Sequence, residues 1–378
     1  MTAVALVLVG LCSAWVVLGV FAVLRVMADP RRAPELALAR GLRPRVTVLK
    51  PLCGADAALE ENLASFFEQD YPELELVFGL RDPGDPAVPI VQRLLERYPG
   101  VPARLVVHAG SDSINPKIDN LLGMLPHATS DLLLISDSNV RAPAHYVREM
   151  VRTLSAEPST GLVTNLFRGV GEDGLGSALE NAQLNGFCAA GAALPTLLGD
   201  ALIVGKSMLF SRRVFESLGG FERVKNVLAE DFVMGKMFQH GGYAVRIAPT
   251  VLDNVTRGTT LRGFLRRQQR WAMLRARLRP GAQLAEVVVS PLAMLPLAWL
   301  LMGPLAITWC IGLMMLRDAG GWMAVRGPQG AWLAVLLAPL RELLMLGVWL
   351  RAPLKRHVIW RGHKVRLGAG TLVYAPSR

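Results

Sequence analysis

The chain has 378 residues, of which 52% are hydrophobic and 19% charged, and it carries a formal net charge of +11. That apolar content is high for a soluble protein and assigns part of the chain to a bilayer. The positive charge suits anionic headgroups or phosphorylated substrates; nucleic acid is argued against, because the Arg and Lys residues cluster beside apolar spans and no helix-turn-helix, zinc-ligand or single-strand-binding signature occurs.

Ala3 to about Val23 is almost wholly apolar and long enough for a hydrocarbon core, so it reads as a spanning helix. A cleaved signal peptide fits less well, since no basic residue precedes the apolar run. Arg25, Arg31, Arg32, Arg40, Arg43 and Arg45 follow at once, which puts the N-terminus outside and the next segment in the cytoplasm. Cys12, Cys53, Cys188 and Cys310 show neither metal-ligand spacing nor a disulfide framework and read as inert thiols.

From 46 to 250, short β-rich runs alternate with helical patterns, as in parallel βαβ units. Val46 to Pro51 reads as a buried first strand, a helix carries Leu59, Leu63, Phe66 and Phe67, and Leu74 to Leu80 reads as a second strand. Ligands of such sheets bind beyond the carboxyl ends of the strands. Asp82 and Asp85 follow the second strand in a Pro/Gly loop, where they serve either a base or ribose or plain turn chemistry. Leu132 to Ser136 is the clearest buried strand and delivers Asp137-Ser138-Asn139. A carboxylate there can hold Mg²⁺ or Mn²⁺ against a diphosphate or cap a helix, and Asn139 stands where a second acidic residue would complete a D-x-D pattern.

Val204 to Phe210 is strand-like, and its Gly205-Lys206-Ser207 is no P-loop, because Asp200 occupies the position of the first glycine. Lys206 is read as facing the site or solvent. Phe215 to Phe221 reads as a helix stopped by Gly219-Gly220, and Asp231 opens an amphipathic helix with Val233, Met234, Met237 and Phe238, a place suited equally to capping and catalysis. Arg267-Gln268-Gln269-Arg270-Trp271 lies on a basic helix that can fork hydrogen bonds onto a pyrophosphate or grip anionic lipid.

Beyond it, Val287 to Leu316 is apolar but broken by Pro291, Pro296 and Pro304. Ala331 to Leu350 carries Arg341 and Glu342 at its centre, where they are expected to face inward. Three spans satisfy the basic flanks at both ends. The chain is thus expected to comprise a membrane helix over 1–27, a cytosolic catalytic domain over 44–260, a basic interfacial helix over 261–282, membrane helices over 283–352 and a basic cytosolic tail over 353–378.

Asp85, Asp137, Glu230-Asp231 and Arg267 to Trp271 together read as a nucleotide-sugar transferase site. In this order, and with Leu49-Lys50-Pro51-Leu52, Asp70-Tyr71-Pro72, Ile114-Asn115-Pro116-Lys117 and Trp360-Arg361-Gly362, they resemble the ceramide glucosyltransferase family of inverting GT-A enzymes, nearly end to end. The resemblance implies an α/β GT-A nucleotide-diphosphosugar transferase domain, a Rossmann-like mixed sheet, with N- and C-terminal transmembrane helices. It implies transfer of glucose from UDP-glucose to the primary hydroxyl of ceramide with inversion, by an integral protein of a bacterial-type inner membrane whose catalytic domain is cytoplasmic. A sister group that glycosylates hopanoids is similar, so transfer from UDP-GlcNAc to a hopanoid or other lipid is the alternative. Processive polysaccharide synthases, also related, need more spans than this chain has.

The same resemblance implies Asp231 as general base, Asp85 on the nucleoside, and Asp137 on a ribose or on Mg²⁺ or Mn²⁺. Lys50, Asp82, Lys117 and Glu230 join the nucleotide-sugar site, and Arg267, Gln268, Arg270 and Trp271 serve diphosphate and acceptor. Lys117 with Asn115 either closes over the nucleotide or stabilises its loop. Glu180 to Leu202 departs from the family pattern and is expected to shape the acceptor cavity.

Overall fold

The computed structural model describes residues 2–28, 43–197, 203–355, 357–360, 363–368 and 371–374. Arg31, Arg32 and Arg40 of the first basic flank, residues 198–202 of the expected acceptor segment, and Arg361 and Gly362 of the tail lie outside them. In chain order the elements begin with α1 (Thr2–Met27), β1 (Val46–Pro51), α2 (Leu59–Phe67), β2 (Leu74–Leu80), α3 (Ala87–Arg97), β3 (Ala103–Val107), α4 (Pro116–Met124), β4 (Leu132–Ser136), β5 (Val140–Arg141), α5 (Tyr146–Ser155) and β6 (Thr160–Val170). Then come α6 (Leu175–Gln183), a π-helical turn (Leu184–Cys188), α7 (Ala189–Leu197), β7 (Ser207–Ser211), α8 (Arg212–Ser217), α9 (Glu230–His240) and β8 (Ala244–Val255). Helices α10 (Leu261–Leu278), α11 (Pro280–Val288), α12 (Pro291–Met302), α13 (Leu305–Arg326) and α14 (Ala331–Arg351) lead to the short strands β9 (His357–Trp360), β10 (His363–Leu367) and β11 (Val373–Tyr374).

The chain divides into two compact units. The first, within residues 43–167 and 203–257, is built on an eight-stranded sheet of order β3-β2-β1-β4-β7-β6-β8-β5. Alternate side chains of the strands serve opposite faces. Val46, Val48, Leu76 and Phe78 pack with Leu63 and Phe66 of α2, Val91 of α3 and Val147 of α5. Leu49, Val77, Leu133 and Ile135 pack with Ile118 and Leu121 of α4 and Met234 and Phe238 of α9. Helices on both faces leave β1, β2 and β4 almost wholly buried, including the polar side chains of Thr47, Lys50 and Glu75.

The half-sheet β3-β2-β1-β4 is parallel. Strand β7 runs antiparallel to β4, β6 antiparallel to β7, and β5 antiparallel to β8, so the expected parallel βαβ pattern does not extend to residue 250. The sheet is the mixed one of the GT-A fold. Strand order reverses between β1 and β4, and a crevice at such a switch point is where open α/β sheets bind ligands.

The second unit gathers residues 2–28, 168–197 and the described residues from 258 onward. Residues 168–197 thus leave the 44–260 catalytic segment expected from sequence. Helix α1 packs against α7, α12 and α13 through Ala5, Val9, Cys12, Val16 and Val23, a stripe at helical spacing, and Trp309 Nε1 of α13 donates to Ser13 Oγ at 3.0 Å. Its other face leaves Val4, Leu6, Val7, Leu11, Val17, Leu18 and Phe21 exposed, each by more than half. Helices α1 and α14 are long and apolar enough to cross a membrane. The run from Val287 to Leu316 is divided at Ser290-Pro291 and Gly303-Pro304, so α12 is short and α13 begins anew.

Arg341 and Glu342 face inward, fully buried. Arg341 Nε donates to Asp318 Oδ2 at 2.7 Å, Nη2 to Glu342 Oε2 at 2.8 Å and Nη1 to Gln183 Oε1 at 2.6 Å. Arg317 bridges the same Asp318 and Glu342, so the charges balance within the bundle, as apolar surroundings demand. Gly321 lets α13 approach the π-helical turn, since a Cβ there would lie 2.5 Å from the Asn185 carbonyl oxygen.

Candidate active site

Parallel strands deliver three loops to one edge of the sheet: Leu52 to Ala58 after β1, Arg81 to Pro86 after β2, and Asp137 to Asn139 after β4. Because β7 is antiparallel, the turn before it, Val204 to Lys206, reaches the same edge; Ser136 pairs with Ser207. This turn is not strand because its polar groups have other partners. Gly205 N–H donates to Asp231 Oδ2 at 2.8 Å, and the Gly205 carbonyl accepts from Lys117 Nζ at 2.6 Å. A Cβ on Gly205 would lie 2.7 Å from Asp231 Oδ2, so glycine is required here by close approach.

Lys117 is aimed by its helix start. Asn115 caps α4, its Oδ1 accepting from Lys117 N–H at 2.9 Å and Ile118 N–H at 3.2 Å, while Pro116 supplies a preset φ at the first helical position. The Asn115 amide donates to the Val227 carbonyl at 2.7 Å and to Glu230 Oε2 at 3.3 Å, tying α4 to the start of α9. The Lys117 ammonium then lies 2.8 Å from Asp137 Oδ1 and 3.4 Å from Glu230 Oε1.

Burial works to raise the Asp137 carboxyl, but the ammoniums of Lys117, Lys206 and Lys50 outweigh it and hold it at about 2. Lys117 is pulled the other way: burial lowers it, yet Asp137 and Glu230 raise it above the ordinary lysine range. Glu230 is pushed up to about 7 by burial, against the attraction of Lys117 and with repulsion from Asp231 adding to the rise. Asp231 stands in the first turn of α9, where the helix dipole favours negative charge, and its Oδ1 accepts from Phe232 N–H at 2.8 Å.

Lys50, at the end of β1, is fully buried, its Nζ 3.6 Å over the Phe66 ring and donating to the Asp137 carbonyl at 2.7 Å. Burial pushes its ammonium well below the usual lysine range. It supports the backbone beneath Asp137. Asp85 is half-buried, its carboxylate accepting from Gly54 N–H and Ala87 N–H, each at 2.8 Å, so it pins the loop after β1 to the loop after β2. Asp82 is exposed and accepts from Gly84 N–H at 2.8 Å, the turn chemistry weighed for it.

The structure therefore brings Lys50, Lys117, Asp137, Glu230 and Asp231 together in one unit, with Asp82 and Asp85 on a loop of the same sheet edge. Arg267, Gln268, Arg270 and Trp271 lie on α10 of the other unit. There Arg267 Nη1 is 3.2 Å from Glu180 Oε1, to which Gln268 Nε2 also donates at 3.3 Å. Arg270 and Trp271 are partly exposed.

Sequence reasoning left Gly205 out of the site and had Lys206 facing either the site or solvent. Lys206 Nζ donates to Asn139 Oδ1 at 3.0 Å and lies 3.8 Å from Asp137 Oδ2, so Asn139 occupies the second D-x-D position as a lysine partner. The Gly-Lys pair was the visible signal.

Among the described residues, no group of three or more His, Cys, Asp or Glu side chains converges as a metal site. The Lys117 ammonium fills the space between Asp137 and Glu230. A cation held by Asp137 and a substrate diphosphate fits this donor set, since Mg²⁺ commonly takes only one or two protein carboxylates.

The profile of Glycosyl transferase family 21 matches residues 2–373. Ceramide glucosyltransferase 3 of Caenorhabditis elegans is 28% identical over 243 residues, covering 64% of this chain and 53% of that protein. The ceramide glucosyltransferase of Candida albicans is 35% identical over 122 residues, 29% of this chain and 22% of its own length. The chain spans about half the length of the nematode relatives it matches. Among solved structures, the mannosyltransferase PcManGT from Pyrobaculum calidifontis, in complex with GDP-Man and Mn²⁺, aligns with a TM-score of 0.55 at 23% identity, over 94% of this chain and 98% of that one. That likeness is one of fold.

Proposed function

Since the chain belongs to Glycosyl transferase family 21, we propose that it transfers glucose from UDP-glucose to the primary hydroxyl of ceramide, with inversion, at the cytosolic face of a membrane. The observation that carries the reading is the convergence of Asp137, Lys117, Glu230 and Asp231 at the switch point of the sheet. The ceramide glucosyltransferase relatives support the acceptor and sugar, and the two apolar helices support the membrane setting. The arginines after α1 support a cytosolic site.

In this reading Asp231 removes the proton from the lipid hydroxyl as its oxygen attacks the anomeric carbon from the side opposite UDP. Two backbone amides hold the carboxylate still, leaving further lone pairs for the proton. Lys117 and Lys206 present positive charge beside Asp137, where the diphosphate gains negative charge as the bond breaks. Mg²⁺ or Mn²⁺, when bound, would be held by Asp137 and would add charge stabilisation to the departing diphosphate. Asp85 takes the nucleoside, and Lys50 keeps the Asp137 loop in place. Arg270 and Trp271 serve the diphosphate and the acceptor.

A positioned general base contributes about 10² to 10⁴ in rate. Transfer of labelled glucose from UDP-glucose to ceramide in detergent should fall by that order in Asp231→Asn while UDP binding persists. No transfer by the unmodified protein, with UDP still bound, would remove the ceramide assignment.

A further inference from the structure

Lys206 ends a short polar chain beside Asp137. The sheet fixes its backbone: the Lys206 carbonyl accepts from Asp137 N–H at 3.3 Å, and the neighbouring Ser136 and Ser207 pair between β4 and β7. Asn139 fixes its side chain. The Lys206 ammonium donates to Asn139 Oδ1 at 3.0 Å, and the Asn139 NH₂ donates to Asn254 Oδ1 at 2.9 Å. An ammonium can only donate, so the Asn139 oxygen faces the lysine and its amide nitrogen faces Asn254. Asn254 is itself buried and lies opposite Val140 in the β5–β8 pair, while Val255 N–H donates to the Asn139 carbonyl at 2.9 Å. The asparagine is thus held through both its side chain and its main chain.

This chain of bonds decides where a positive charge stands. The ammonium is 3.0 Å from Asn139 Oδ1 and 3.8 Å from Asp137 Oδ2, in the gap between the first and third residues of Asp137-Ser138-Asn139. A D-x-D pattern would set two carboxylates around that gap, an arrangement that suits a divalent cation. Here the second is a neutral amide whose oxygen accepts from a lysine. Lys117 lies 2.8 Å from the other Asp137 oxygen, so each oxygen of the carboxylate faces an ammonium. Two fixed positive charges repel a bare divalent cation and attract a diphosphate. Both side chains are partly exposed, Lys206 by 16% and Asp137 by 29%, so a diphosphate can reach the pair from solvent.

We propose that Lys206 binds the donor's diphosphate from the second cation position of the D-x-D pattern, and that a divalent cation enters the site only in company with the nucleoside diphosphate; the proposal rests on the nucleotide-sugar transferase reading above. The lysine supplies part of the positive charge that a second carboxylate would otherwise recruit as metal. Asn139 sets the ammonium in place without neutralising it, which an aspartate there would do. The nucleotide is therefore held by the chain's own cations before any metal arrives, and its phosphates bring the negative charge that the Asp137 side of the site lacks.

The test is binding to the full chain in detergent, with UDP in the presence of a chelator, Mn²⁺ alone followed by its electron paramagnetic resonance signal, and the two together as probes. The unmodified chain should bind UDP without metal and take up Mn²⁺ only when UDP is present. Lys206→Met should weaken metal-free UDP binding at least about tenfold, the loss expected for one hydrogen bond to a charged group, and Lys206→Arg should restore it. Lys206→Met joined to Asn139→Asp sets two carboxylates around an emptied gap, and this variant should bind Mn²⁺ alone. Mn²⁺ bound by the unmodified chain without UDP, or metal-free UDP affinity untouched in Lys206→Met, would overturn the proposal. If the Lys206 variants do not fold, the unmodified chain decides alone through its Mn²⁺ binding with and without UDP. UDP bound solely with Mn²⁺ would overturn the proposal and leave the nucleotide-sugar reading standing, whereas no UDP bound with or without metal would remove that reading as well.

Discussion

The Lys117 ammonium lies 2.8 Å from Asp137 Oδ1, and its other contacts are Glu230 Oε1 and the Gly205 carbonyl. One cation therefore joins the loop after β4, the start of α9 and the turn before β7. Replacing it should affect both structure and donor binding. Lys117→Met leaves Asp137 and Glu230 facing each other partly buried, which typically costs about 3 to 5 kcal/mol when one partner of a buried pair is removed. We expect a lower unfolding temperature and weaker UDP binding, read by thermal shift and calorimetry. Unchanged UDP affinity would place Lys117 in a structural role only.

Gly205→Ala tests the close approach at Asp231. The added Cβ would lie 2.7 Å from the carboxylate oxygen, so Asp231 must shift, and misplacing a catalytic group by about 1 Å can lower turnover by about 10²-fold. Transfer should fall by that order with UDP affinity retained.

Glu230 gives the site a pH signature. Its folded value near 7 lies above the ordinary 4.5, so between those limits the folded state holds more protons than the unfolded one. Stability from this group consequently decreases as pH rises from about 4.5 through 7. Glu230→Gln should flatten the fall of unfolding temperature between pH 5 and 8, a range set by those two values. Asp137 behaves oppositely, its contribution being lost as pH falls from 3.8 toward about 2.

The buried charges of the second unit make a separate prediction. Arg341→Met strands Asp318 and Glu342 with Arg317 as their remaining cation and should cost about 3 to 5 kcal/mol of stability, seen as a lower melting temperature in detergent. Removing an acid as well, in Arg341→Met with Asp318→Leu, should recover part of the loss.

Much of this was legible in the sequence wherever a local pattern carried it. Strands β1, β2 and β4 are almost wholly buried and rich in Val, Leu, Ile and Phe, and the acidic residues that follow β2 and β4 emerge where strand ends put them. The antiparallel half was not, because β7 is set by pairing with β4 across more than seventy residues of chain. The role of Lys117 needed Glu230, which is 113 positions away, and spacing gives no sign of that pair. Residues 168–197 looked like part of the catalytic segment, but Glu180 and Gln183 have their partners on α10 and α14 and so draw that stretch into the other unit.

The most direct test of the account is glucose transfer from UDP-glucose to ceramide by the purified protein, measured beside Asp231→Asn. The account predicts glucosylceramide from the unmodified chain and a fall of about 10² to 10⁴ in the variant, with UDP binding preserved. An Asp231→Asn protein that folds, binds UDP and turns over at the unmodified rate would contradict it.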